Sequence, residues 1–128
     1  MRRFQYFIDF DGTVVTHAYP HMGMDAGAVP VLKELVANDC KLILYTMRSG
    51  QLLEKAVQWF KEQKIPLYAI NENPGQKSWT SSPKVHADLY IDDRNLGELP
   101  EWTEIYRKIT GAASTAAGKS STSSFFGR

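Results

Sequence analysis

Four aspartates stand in two close pairs: Asp9 and Asp11 near the start of the chain, Asp92 and Asp93 towards its end. The first pair interrupts "FIDFDGTVV", an apolar run that otherwise reads as a buried strand. A buried carboxylate is costly unless its charge is compensated. If the four converge, they repel one another, and two remedies exist. Raised pKa values can leave some of them protonated. Alternatively, a hard divalent cation can sit among them. Mg²⁺ prefers oxygen ligands and is usually held by one or two carboxylates, waters and a substrate phosphate. A magnesium site with a free carboxylate suits phosphoryl transfer. One aspartate attacks phosphorus, and a second protonates the leaving oxygen and later activates water. Phosphate also needs donors. Lys84, Thr46 and the Gly12–Thr13 turn are the candidates.

These residues can meet only if the intervening elements bring them together. Residues 4–10 are aromatic and β-branched and run into "DGT", which predicts a strand ending in a turn. Residues 12–27 read as a loop. Leu32, Leu35 and Val36 fall at helical spacing within residues 28–39, with Pro30 suited to a first turn. "KLILYT", residues 41–46, is the continuous apolar run of a strand covered on both faces. Ser49 is suited to cap a second helix reaching about residue 64, with Leu53, Ala56, Val57 and Phe60 on one face. Residues 65–71 and 87–93 read as two further strands, separated by a long polar loop at 71–83. Residues 100–109 form a last helix. Strands alternating with helices imply a parallel sheet with helices on both faces. Sites in such sheets lie outside the carboxyl ends of the strands. Asp9, Asp11, Thr46, Arg48, Asn71, Glu72, Asp92 and Asp93 all fall there.

Composition narrows the alternatives. The 128 residues carry a net charge of +1, with no basic stripe, which argues against nucleic acid as a partner. No apolar run approaches a membrane span. The single cysteine, Cys40, rules out an internal disulfide and a CxxC zinc site, and fits a reduced cytoplasm. Residues 111–128 are rich in Gly, Ala, Ser and Thr and read as a flexible tail beyond a single domain at 1–110. "GKS" at 118–120 is no phosphate loop, because Ala113 stands where a glycine is needed and no strand precedes it.

"DFDGTV" resembles the first motif, DxDGT, of the haloacid dehalogenase superfamily of phosphohydrolases. Thr46 in "YTMR", Lys84 in "SPKVHADLY" and the acidic "YIDDR" match that family's later motifs in order, across residues 4–96. The resemblance implies a Rossmann-like three-layer sandwich with a mostly parallel sheet. It further implies a magnesium-dependent phosphatase that hydrolyses a phosphomonoester through an aspartyl-phosphate. Asp9 is then nucleophile and metal ligand. Asp11 is general acid and base, with its backbone carbonyl on the metal. Asp92 ligates directly, and Asp93 lies behind it or acts through water. Thr46 and Lys84 hold the phosphoryl oxygens, and Lys84 offsets the carboxylate charge. Residues 14–27 and 71–83 are only loops, so the chain resembles the family's members without a cap domain. The open site this implies admits a large substrate or closes against a neighbouring subunit, and a homo-oligomer is expected on that ground.

Other residues divide between site and scaffold. Arg48 reads either as a contact to a second anionic group on a phosphorylated small-molecule substrate or as a solvated residue at the helix entry. Asn71, Glu72 and Asn73 read as substrate contacts or as loop hydrogen-bonding groups. His17 and His21 read as surface residues near the entrance, and His86 as structural. Trp79 reads as an entrance cover or as core; Trp59, Phe60 and Trp102 read as core. Two functions compete with the phosphatase: a non-catalytic phosphate- or metal-binding module of the same fold, and a nucleic-acid end phosphatase.

Overall fold

The computed structural model describes residues 4–74 and 78–111. The tail beyond Gly111, and Lys77 in the polar loop, lie outside the described residues. Among the described residues, four short strands form one sheet: β1 (Gln5–Ile8), β2 (Lys41–Leu44), β3 (Ala69–Ile70) and β4 (Leu89–Ile91). Their order is β3-β2-β1-β4, and every neighbouring pair is parallel. The helices are α1 (Ala28–Ala37), α2 (Gly50–Glu62) and α3 (Trp102–Thr110).

The elements fall where the periodicity puts them, with shorter strands than expected. Pro66 has no N–H to give a ladder, so pairing with β2 begins only at Tyr68, whose N–H donates to Leu42 O at 2.7 Å. The helices start by different devices. Asp25 Oδ1 accepts the N–H groups of Gly27, Ala28 and Val29 at 2.8–3.2 Å and caps α1 from two residues upstream of Gly27. Ser49 does occupy the N-cap of α2 in an extended conformation, but its hydroxyl makes no capping bond there.

One expectation is corrected. All three helices pack on one face of the sheet, so the described fold has two layers and not three. Tyr6, Ile8, Leu42, Leu44 and Ile91 on that face share a core with Leu32 and Leu35 of α1, Ala56 and Phe60 of α2, and Trp102 and Ile105 of α3. The opposite face holds a smaller cluster, in which Ile43 and Ala69 pack with Val85, Phe7 and Ala87. The reason is topological. The crossovers β1→β2 and β2→β3 step in the same direction, so right-handedness puts α1 and α2 on one side. The return from β3 to β4 reverses direction and would place a helix on the other side. It is made instead by the segment 71–88, which contains no helix among the described residues. No helix among the described residues is long and apolar enough to cross a membrane.

Candidate functional site

The site is built on the carboxyl edge of β1 and its neighbour β4. The Asp9 N–H still donates to Ile91 O at 3.0 Å, extending the ladder by one residue. The chain then turns sharply. Phe10 O accepts the N–H groups of Thr13, Val14 and Val15 at 2.9–3.2 Å, and Gly12 sits at φ 86°. Glycine suits this position. A Cβ at residue 12 would overlap Asp93 Oδ2 and press on His17 Cδ2 at 3.1 Å, in a backbone region that other residues avoid. This close approach brings the strand ends together. Asp9, Asp92 and Asp93 each present a carboxylate oxygen, and these oxygens all lie within 4.8 Å of one another.

Thr13 ties the cluster. It is fully buried; its hydroxyl donates to Asp9 Oδ2 at 2.8 Å and accepts the Asp93 N–H at 3.0 Å. Its side chain thus braces the end of β1 against the residues that follow β4. Its carbonyl is also held, by the buried Trp102 Nε1–H at 2.8 Å. Trp102 thus belongs to the core, as read from sequence, and also anchors the site turn. Burial pushes the Asp9 carboxyl up to about 7; the Thr13 hydrogen bond opposes this, and the Asp92 and Asp93 charges add to it. Among the described residues no Lys or Arg forms an ion pair with any of the three. Three half-buried carboxylates with no cationic partner are an oxygen-only donor set suited to a hard divalent cation.

Asp11 faces elsewhere. Both its oxygens are held by Arg48, Nε to Oδ2 at 2.8 Å and Nη2 to Oδ1 at 2.7 Å. Arg48 is only 2% exposed, and it also donates to Leu52 O and His21 O. The solvated reading of Arg48 does not hold, and four of its five guanidinium N–H groups are engaged within the protein. No sequence signal joins residues 37 apart in this way. The Asp11 carboxylate in turn holds the guanidinium above its ordinary pKa.

Thr46 and Asn71 follow β2 and β3 and are brought together. Asn71, at φ 52°, accepts the Thr46 N–H on Oδ1 at 2.8 Å. Thr46 Oγ1 accepts the Arg48 N–H at 3.2 Å, which fixes the hydroxyl at the mouth of α2. Glu72 is exposed. Asn73 staples the loop, with Nδ2 donating to Lys84 O and Oδ1 accepting the His86 N–H. Lys84 forms no ion pair with the three clustered carboxylates. It is exposed, and its Nζ lies 5.7 Å from the centre of the Tyr90 ring. Tyr90 contacts Phe7 on the helix-free face. Trp79 is 81% exposed and no part of the core. His17 and His21 are exposed, as expected, yet His17 borders Gly12 and the His21 carbonyl is bonded to Arg48.

Fold and site together define an α/β protein, consistent with a Rossmann-like fold, carrying an acidic cluster at the carboxyl edge of its parallel strands. A solved structure of a conserved protein from Bacteroides thetaiotaomicron is similar to this chain. It is 36% identical, with a TM-score of 0.80, and the match covers 94% of this chain and 100% of that one. The chain belongs to the same family as that protein. No protein-family model matches the sequence, and no curated protein does.

Proposed function

We propose that this protein is a magnesium-dependent phosphatase of the haloacid dehalogenase type, without a cap domain, acting on a phosphomonoester. One observation carries the reading. Asp9, at the end of the strand between β2 and β4, has one oxygen on Thr13 and lies beside two further carboxylates with no cationic partner. A magnesium ion held by Asp9, Asp92 and Asp93 would neutralise carboxylate and phosphate charge. Asp9 Oδ1, the oxygen that Thr13 does not hold, then attacks phosphorus. The bond to the leaving oxygen breaks as that oxygen takes a proton from Asp11, which must first take that proton up from solvent because its oxygens start as acceptors from Arg48. Water then attacks the aspartyl-phosphate and gives its proton to Asp11, releasing phosphate and restoring Asp9. The Thr46 hydroxyl, at the neighbouring strand end, is a donor for a phosphoryl oxygen.

A second reading, a cation-binding module without catalysis, is favoured by two observations. Arg48 engages both Asp11 oxygens, and Lys84, over the Tyr90 ring, forms no ion pair with the three carboxylates.

Rapid-quench kinetics with mass spectrometry separate the two readings. Asp9→Asn removes the nucleophile, so no phosphoenzyme forms with any leaving group. Asp11→Asn keeps the nucleophile. Nitrophenolate leaves with barely any proton donation, whereas an alkyl alkoxide needs it. This variant should release a burst of about one nitrophenolate per site, hold phosphate on Asp9 and be nearly silent on alkyl phosphates. Magnesium binding by the wild type with no phosphoenzyme on any phosphomonoester would favour the binding module.

A further inference from the structure

We propose that Arg48 is a positioning residue that fixes the Asp11 carboxylate and couples it to the loop bordering the site. The role given to Asp11 rests on the phosphatase reading; the coupling does not.

The guanidinium joins three parts of the chain. It grips Asp11 side-on, donates through Nη1 to Leu52 O at 3.2 Å in the first turn of α2, and donates through Nη2 to His21 O at 3.0 Å. Its carbon lies 5.3 Å from the Phe10 ring centre and 5.4 Å from that of Tyr19. Four hydrogen bonds and two ring contacts leave it little freedom. A buried guanidinium needs such bonds, because its desolvation is otherwise uncompensated. The planar fork sets the orientation of the carboxylate as well as its charge partner, which a lysine cannot do.

The loop is a unit with two anchors. Thr16 N–H to Met24 O at 2.7 Å closes its neck, and His21 N–H to Ala18 O at 2.8 Å turns its tip. One anchor is the His21 carbonyl on Arg48. The other is His17, exposed but with its ring bordering Gly12 on the side that faces Asp93. Asp11 and the acidic cluster thus border opposite parts of one loop. Freeing Asp11 from Arg48 releases one anchor and lets the carboxylate rotate. Misplacing a catalytic group by about 1 Å costs about a hundredfold in rate.

The test uses Arg48→Met, Arg48→Lys, Asp11→Asn and the double variant Asp11→Asn/Arg48→Met. With nitrophenyl phosphate, phosphoenzyme should form in Arg48→Met as in wild type, because Asp9 is untouched. Its breakdown should slow about a hundredfold, the cost of a misplaced base. Arg48→Lys, charged but without the fork, should be slowed too, and this variant decides if Arg48→Met does not fold. The double variant should break down no slower than Asp11→Asn alone. A merely structural Arg48 would lower Tm and leave breakdown unchanged. Wild-type breakdown in the Arg48 variants, or additive slowing in the double variant, overturns the proposal. Amide hydrogen exchange gives a readout free of activity. Exchange across residues 17–23 should rise alike in Arg48→Met and Asp11→Asn. If wild type forms no phosphoenzyme, the phosphatase reading falls and exchange alone decides the coupling. A matched rise sustains it, and unchanged exchange overturns it.

Discussion

Replacing Thr13 by valine removes one hydroxyl and nearly nothing else, yet it should unlatch the two central strand ends. Two bonds are lost: the one donated to Asp9 Oδ2 at 2.8 Å and the one accepted from the Asp93 N–H at 3.0 Å. A bond to an ionised carboxylate is worth about 1.5–3 kcal/mol, and an amide left without a partner costs about 1 kcal/mol or more. With Asp9 ionised, at pH 8, the loss is then about 3 kcal/mol. At pH 5 Asp9 carries its proton, since burial raises its carboxyl to about 7. The bond is then neutral, and the total falls to about 2 kcal/mol. For a domain of this size, 3 kcal/mol lowers Tm by roughly 15 °C. Thermal melts of wild type, Thr13→Ser and Thr13→Val, in chelator at both pH values, measure this. Thr13→Ser keeps the hydroxyl and should lose only the small amount due to one buried methyl group, about 1 kcal/mol. If Thr13→Val melts with Thr13→Ser at pH 8, or if its deficit does not change with pH, the bridge between Asp9 and Asp93 is not what holds this edge.

Four further outcomes are expected. Asp9 binds its proton more tightly folded, to about 7, than at its ordinary value of 3.8; in chelator its contribution to stability is therefore present at low pH and fades as pH rises from about 4 to 7. Magnesium should raise Tm more at pH 8 than at pH 5, and an equal rise in Asp9→Asn would remove Asp9 from the cation site. Gly12→Ala must place a Cβ against Asp93 at φ 86°, so chemical denaturation should show a loss of about 1–3 kcal/mol, with a weaker magnesium effect on Tm. Lys84→Ala should leave Tm nearly unchanged, because the side chain is exposed. If Lys84 reaches the phosphate during turnover, the same change should cut turnover about a hundredfold, as loss of an oxyanion donor does; unchanged turnover would remove Lys84 from the site.

The order of elements was legible because it rests on local periodicity. Leu32 and Leu35 in α1, and Ala56 and Phe60 in α2, face the core that their spacing predicts. The carboxyl edge was legible too, since parallel strands leave their ends at one side, and Asp9, Asp92 and Asp93 do meet there. What escaped the sequence was pairing over long separations and layering. Arg48 and Asp11 lie in different crossovers, and nothing in "YTMR" says that its arginine turns inward to grip a carboxylate. The second helical layer was expected from alternation alone. Alternation does not show that the 71–88 connection returns to β4 with no helix among its described residues, or that Phe7 and Tyr90 pack together on that face. Lys84 matched a motif by position in the chain, but motif order carries no information on which way an exposed loop side chain points.

The two carboxylates of "FIDFDGTVV" are two residues apart, and in a continuing strand such residues share a face. Here they do not share an environment. Phe10 O gathers three N–H groups and bends the chain between them, and Gly12 at φ 86° completes the turn. Asp9 stays on the sheet edge beside Asp92 and Asp93, with the Thr13 hydroxyl and the Phe10 backbone as its donors. Asp11 is carried round to the Arg48 fork. One carboxylate is left among like charges, and the other is matched by a buried cation. Such contrasting surroundings are what a site needs if neighbouring carboxylates are to take different roles. The spacing of two therefore matters less than the turn inside it. A residue other than glycine at position 12 would press its Cβ on the Asp93 carboxylate that now lies beside Asp9.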